Sequence, residues 1–317
     1  MLPTRRHTLA LLGSAAFAPS LVAAQESFSL VATTGMIADA ARQIGGVHID
    51  IHALMGPGVD PHAYRQTRSD IVAMTRADLV LWHGLFLEAQ MERFFEELSA
   101  RGNVVAVAES LPRDLLRTHD DYADKFDPHV WMAPGLWAHV VTYIGTGLQT
   151  RRPDLADAFA ENLAAHLAEI NALQEYARTT MASVPKSRRV LVTAHDAFNY
   201  FGAAYGVEVL GIQGMSTQSE AGLNRVIELV DTLVSREIGA VFVESSVSDR
   251  NMRALVEGAA SRGHDVKIGG QLFSDAMGQA GTYEGTYIGM IDHNVTTIAR
   301  ALGGDAPQAG MQGKLAL

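Results

Sequence analysis

The tripeptide Asp-Pro-His occurs twice in the chain, ending at His62 and at His129. Proline fixes its own φ and restricts the residue before it, so each imidazole is presented from a stiff turn. A third histidine, His195, follows the apolar run Arg189-Val-Leu-Val-Thr193, and a carboxylate, Asp275, stands in a polar, glycine-rich stretch. Three imidazoles and one carboxylate are a donor set for a closed, four-coordinate cation site. Taken singly, a loop histidine is more often solvated or hydrogen-bonded than bound to metal, and spacing leaves that reading open for all of them. His83, His119, His139, His166, His264 and His293 are assigned to this background. His48 and His52 alternate with Ile49 and Ile51 and are expected to be solvated strand residues.

The candidate ligands need elements that carry them to one place. Apolar runs predict strands over residues 28–32, 48–54, 77–83 and 104–107, with helices over 37–44, 69–75 and 87–98 between them. The pattern restarts with strands at 189–193, 207–212, 240–244 and 266–269 and ends in a helix over 286–302. Alternation of strand and helix implies parallel, right-handed sheets. Ligands of such sheets gather at the carboxyl ends of the strands, which is where the four candidates fall. Between the two sets, Leu155, Phe159, Leu163, Leu167, Ile170, Leu173 and Met181 are mostly three or four apart, between Pro153 and Pro185. That spacing predicts one long amphipathic helix, roughly 45 Å from end to end. The expected fold class is therefore α/β: two lobes, each with a four-stranded, mainly parallel sheet flanked by helices, joined by one long rigid helix. The expected organisation is a signal peptide at 1–24, an N-terminal lobe at 25–152, the linking helix at 153–184, a C-terminal lobe at 185–302 and a loose tail at 303–317.

With 317 residues, 48% hydrophobic and 19% charged, the chain is long enough for two cores. A net charge of −10 argues against nucleic acid and anionic membrane surfaces as partners, since both need basic patches. Arg5 and Arg6, an apolar stretch over 9–18 and small residues at Val22-Ala23-Ala24 read as the signal peptide. Thr4-Arg5-Arg6-His7-Thr8-Leu9 matches a twin-arginine export signal in part, with Thr8 in the place of Phe, so the export route stays open. The chain has no cysteine, which excludes disulfides, thiolate ligands and a lipid-anchor cysteine. The expected location is the periplasm, as a soluble protein.

The motifs Gly58-Val-Asp-Pro-His62, Asp127-Pro-His-Val-Trp131, Thr193-Ala-His-Asp-Ala-Phe-Asn-Tyr-Phe201 and Phe273-Ser-Asp-Ala-Met-Gly278 together resemble a known family. This is the ZnuA/PsaA/TroA type of metal-binding receptor for ABC importers, and the likeness is strongest to the TroA branch. The resemblance implies two βα lobes bridged by a rigid helix, with the family's four ligands on His62, His129, His195 and Asp275. It implies one Zn²⁺ per chain, with Mn²⁺ as the alternative, an ABC membrane permease as partner, a possible periplasmic metallochaperone as donor, and a monomer without enzymatic activity. Manganese-preferring members resemble this chain but usually carry Glu where it has His195, and nitrogen-rich sites favour zinc. Glu244, at the end of a predicted strand, is a candidate partner for a ligand histidine. The short acidic segment around His119 is a candidate for transient metal recruitment. The reading from another class is a zinc hydrolase with Asp275 as base, which no HExxH-type motif supports.

Overall fold

The computed structural model describes residues 28–119, 122–218 and 222–316; the expected signal peptide lies outside them. Strand β1 (Phe28–Ala32) leads into α1 (Gly35–Gly45), whose start is capped by the Thr34 hydroxyl accepting the Ile37 N–H. β2 (Ile49–Ala53) is an edge strand with His48 and His52 exposed. α2 (Arg68–Arg76) opens on a capping box between Thr67 and Asp70. β3 (Leu79–Trp82) is buried throughout, as a central parallel strand covered on both faces should be.

The helix expected over 87–98 begins only at Glu92, as α3 (Glu92–Ser99). Gly84, Leu85 and Phe86 have φ of 83°, 52° and 68°, so the chain makes a left-handed turn there first. The Glu88 carboxylate stabilises this turn by accepting the N–H groups of His83 (2.7 Å) and Gly84 (3.2 Å) and the Thr33 hydroxyl (2.6 Å). β4 (Val104–Ala106) completes a parallel sheet of order β2-β1-β3-β4. A small antiparallel pair, β5 (Thr118–His119) with β6 (Tyr122–Phe126), occupies the short acidic segment around His119.

α4 (Pro134–Arg151) starts on Pro134 and packs along α5 (Ala156–Ser183), the 28-residue helix of about 42 Å. Pro153–Leu155 is a 3-10 turn, so the long helix starts three residues later than the proline suggested. Beyond it come β7 (Val190–Thr193), α6 (Asn199–Tyr205), β8 (Glu208–Gly211), α7 (Leu223–Ser235), β9 (Ala240–Glu244), α8 (Arg250–Ser261), β10 (Lys267–Leu272) and α9 (Tyr287–Ala301). β7–β8 and β9–β10 are parallel pairs, and β7 lies beside β9.

Among the described residues, three hydrophobic cores fill this frame. One lies on the outer face of the N-terminal sheet, around Met74, Trp82 and Phe95, and one on the outer face of the C-terminal strands, around Leu229, Val241 and Leu255. The largest runs without a break from Leu30 and Ile37, through Phe159, Ile170 and Leu173 of α5, to Phe242 and Ile291. α5 contacts α1 and α4 on one side of the molecule and α6 and α9 on the other. The two lobes thus share one inner layer.

The tail, expected to be loose, is folded back. The buried Asp292 carboxylate accepts the Met311 N–H with both oxygens at 2.9 Å, Ser183 Oγ accepts the Asp305 N–H, and Leu315 is buried. A buried carboxylate needs donors, and the tail adds the Met311 N–H to the hydroxyls of Tyr283 and Thr296.

Candidate metal centre

The loop after β2 carries His62, the loop after β6 carries His129, β7 delivers His195, and Asp275 follows β10. All four side chains are buried. Among the described residues they form the cluster of histidines and acids spaced to hold a metal ion, their donor atoms lying within 4.8 Å of one another. His62 Nε2 is 3.3 Å from His129 Nε2. Asp275 Oδ1 lies 3.4 Å from His129 Nε2, and its Oδ2 lies 3.2 Å from His195 Nε2. Donors about 2.0–2.2 Å from a tetrahedral ion are themselves about 3.3–3.6 Å apart, so these spacings match a shared cation.

The Asp of each Asp-Pro-His does work that the motif reading credited to the proline alone. Asp60 Oδ1 accepts the His62 N–H at 2.9 Å. Asp127 Oδ1 accepts the His129 N–H at 2.9 Å and also meets His129 Nδ1 at 2.7 Å. An Asx-type turn was therefore legible in the spacing, although the aspartate's second bond, to the ring, was not. Glu244, at the end of β9, accepts the His195 N–H (2.9 Å) and meets its Nδ1 at 2.5 Å. Asp127 and Glu244, each against a ring Nδ1, leave Nε2 of His129 and of His195 facing the cluster.

His83, which the sequence alone assigns to the background, has a role beside the site. Its Nε2 meets the carbonyl of Pro128 at 2.7 Å, and its ring lies edge-on to Trp131, so it supports the turn that carries His129. The only local signal was its place at the end of a buried strand. Residues 120 and 121 and the side chain of His119, proposed to recruit metal, lie outside the described residues.

Burial pushes the His62 imidazole down to about 3, against the pull of Asp275. Burial acts on His129 in the same direction. There the charge and hydrogen bond of Asp127, joined by those of Asp275, outweigh it and bring the ring up to about 9. At His195 burial is likewise outweighed, by Asp275 and Glu244, which hold the imidazole well above its ordinary value. Burial opposes ionisation of Asp275, yet His195 and its neighbours hold that carboxyl well below the usual range. The site is an anionic focus that attracts positive charge, as protons or as a metal ion.

Two parallel-sheet lobes meeting on a buried set of imidazoles and a carboxylate define a metal-binding protein of the solute-receptor class. The chain belongs to the ZnuA family, "Zinc-uptake complex component A periplasmic", which matches residues 30–301. It is 47% identical over 279 residues to the manganese-binding lipoprotein MntA of Bacillus subtilis, covering 88% of this chain and 91% of that protein. It is 44% identical over 287 residues to the zinc-binding protein TroA of Treponema pallidum, covering 90% and 92%. The solved structure of that TroA superposes with a TM-score of 0.85 over 87% of this chain and 99% of its own. The family consists of solute-binding receptors of ABC importers rather than enzymes.

These relatives correct the expected location. MntA, and the more distant SsaB of Streptococcus sanguinis at 28% identity, are named lipoproteins. The soluble, anchor-free placement drawn from the missing cysteine is therefore withdrawn, while an exported protein working outside the cytoplasm fits both. No helix among the described residues is long and apolar enough to cross a membrane.

Proposed function

We propose that this chain captures one Zn²⁺ between His62, His129, His195 and Asp275 and, as a monomer, hands it to the permease of an ABC importer. The observation that carries this reading is the convergence of two donors from each lobe at 3.2–3.4 Å spacings. Three imidazoles favour Zn²⁺, which accepts tetrahedral N/O sites, over Mn²⁺, which prefers more oxygen. Manganese is a full second reading, supported by the 47% identity to a manganese-binding relative, against 44% to a zinc-binding one. Asp275 lies within the donor set, with both oxygens against ligand imidazoles, which supports a role as ligand instead of hydrolytic base.

Chelator competition on the metal-free protein at pH 7 decides between the two metals. Zinc bound at one per chain, far more tightly than manganese and weakened in His195→Ala, is the expected result. Equal affinities would make this a broad Mn/Zn receptor. Undiminished binding in His195→Ala would overturn the ligand set.

A further inference from the structure

The four candidate ligands are not held alike. His129 and His195 each have Nδ1 against a carboxylate, Asp127 and Glu244. The turn carrying His129 is also tied to the C-terminal lobe by buried groups. Tyr200 donates to the Asp127 carbonyl at 3.0 Å, Trp131 Nε1 to the Ser274 carbonyl at 2.8 Å, and Tyr287 to the Trp131 carbonyl at 2.8 Å. His62 has none of this. Its Nδ1 is buried without a hydrogen-bond partner among the described residues, so its place is set by its backbone.

That backbone is gripped from the other lobe. His62 N–H rests on Asp60 Oδ1, and the second oxygen of Asp60 accepts the Thr217 hydroxyl at 2.6 Å. Gln218 Nε2 donates to the His62 carbonyl, while its Oε1 accepts from Gln90 Nε2 at 2.9 Å. Gln218 is exposed and Thr217 and Asp60 are half-buried, so the grip sits at the protein surface, unlike the anchors of His129. A groove of about 130 Å³, bordered by Val59, Pro61, Asp275 and Met277, lies beside the same loop. The loop therefore has room on one side and a surface-accessible clasp on the other.

We propose that Thr217 and Gln218 are positioning residues that hold the His62 loop in the site and so set the rate at which the cation leaves. The proposal rests on the reading of His62 as a ligand. A partner touching the exposed Gln218 loosens one imidazole without prying the lobes apart. Loss of one ligand lowers the barrier to dissociation, so the clasp acts on the off-rate.

The test is stopped-flow dissociation of Zn²⁺ into excess chelator from the full mature protein. Thr217→Val combined with Gln218→Ala should release zinc on the order of tenfold faster or more, since two polar contacts to the His62 loop are lost. The unfolding midpoint of the metal-free variant should match the wild type, and Thr217→Ser, which keeps the hydroxyl for Asp60 and leaves Gln218 intact, should release zinc as slowly as the wild type. Wild-type release by the double variant would overturn the clasp, as would faster release with a lowered metal-free midpoint and equally fast release by Thr217→Ser. His62→Ala separates the two levels: if it binds zinc as tightly as the wild type, the ligand reading itself fails. If it loses tight binding while the double variant releases normally, only the clasp fails.

Discussion

His195 gives both its backbone N–H and its ring Nδ1 to one carboxylate, Glu244, so a single side chain sets the position and the tautomer of this imidazole. Glu244→Gln keeps the shape but removes the charge that makes Nε2 a better donor. Zinc affinity should fall about 10- to 100-fold, measured by chelator competition; an unchanged affinity would remove Glu244 from the site. The same logic gives a pH signature. His129, brought up to about 9 by Asp127 and Asp275 against its burial, carries a proton at neutral pH in the metal-free protein, and a cation must displace it. His62, pushed down to about 3, is already neutral. The folded value of His129 lies above its ordinary 6.5. Its contribution to metal-free stability is therefore complete below about 6.5 and is lost as pH rises through about 9. Metal affinity runs the other way and improves over that window. The gap in unfolding temperature between zinc-loaded and metal-free protein should widen from pH 6.5 to 9. Calorimetry showing a constant gap would mean that His129 binds the cation without exchanging a proton for it.

At the scale of elements, α5 decides how the two lobes are held. Ile170, Leu173 and Phe159 on it are fully buried in the shared core. Leu173→Ala should cost about 2–5 kcal/mol in denaturant unfolding, with one zinc still bound per chain, because the residue lies in the core and outside the donor cluster. A loss under about 1 kcal/mol would mean that the site collapses around the missing side chain. Elements such as α5 were legible because a stripe of apolar residues repeats locally. β1, β3, β7 and β9 were legible as short apolar runs for the same reason. The start of α3 was not, because Leu87 and its neighbours look helical and the carboxylate-held left-handed turn at Gly84–Phe86 has no local periodicity. Asp-Pro-His announced two of the candidate ligands, since the turn and the donor lie within three residues. Thr217 on Asp60 and Met311 on Asp292 were invisible, since each joins segments whose pairing only the folded chain reveals. The choice between zinc and manganese was legible only as a bias: three imidazoles favour zinc, yet manganese also accepts nitrogen and oxygen donors, so ligand type alone does not fix the ion.

At the scale of the whole molecule, the question is how a buried ion enters and leaves. A receptor whose lobes swing apart on a hinge needs a flexible crossover and separate cores. Here the crossover is a helix of 28 residues, and the largest core runs through it from β1 to α9. Opening by a wide rotation would pull Phe159, Ile170 and Leu173 out of contact and expose apolar surface worth about 25 cal/mol per Å². It would also break the buried Trp131–Ser274 and Tyr200–Asp127 bonds. The cheaper movement is local, in the loop that carries His62 and the turn that clasps it. Metal-free and zinc-loaded protein should therefore differ by less than about 1 Å in radius of gyration, measured by solution scattering, because the shared core persists in both. Amide exchange should separate the two states at the same time. Removing zinc should speed exchange around residues 56–66 and 213–218, where few contacts are buried, and leave α5 and the central strands protected. A larger contraction on zinc binding, or loss of protection along α5, would mean that the lobes themselves move and that the helix bends with them.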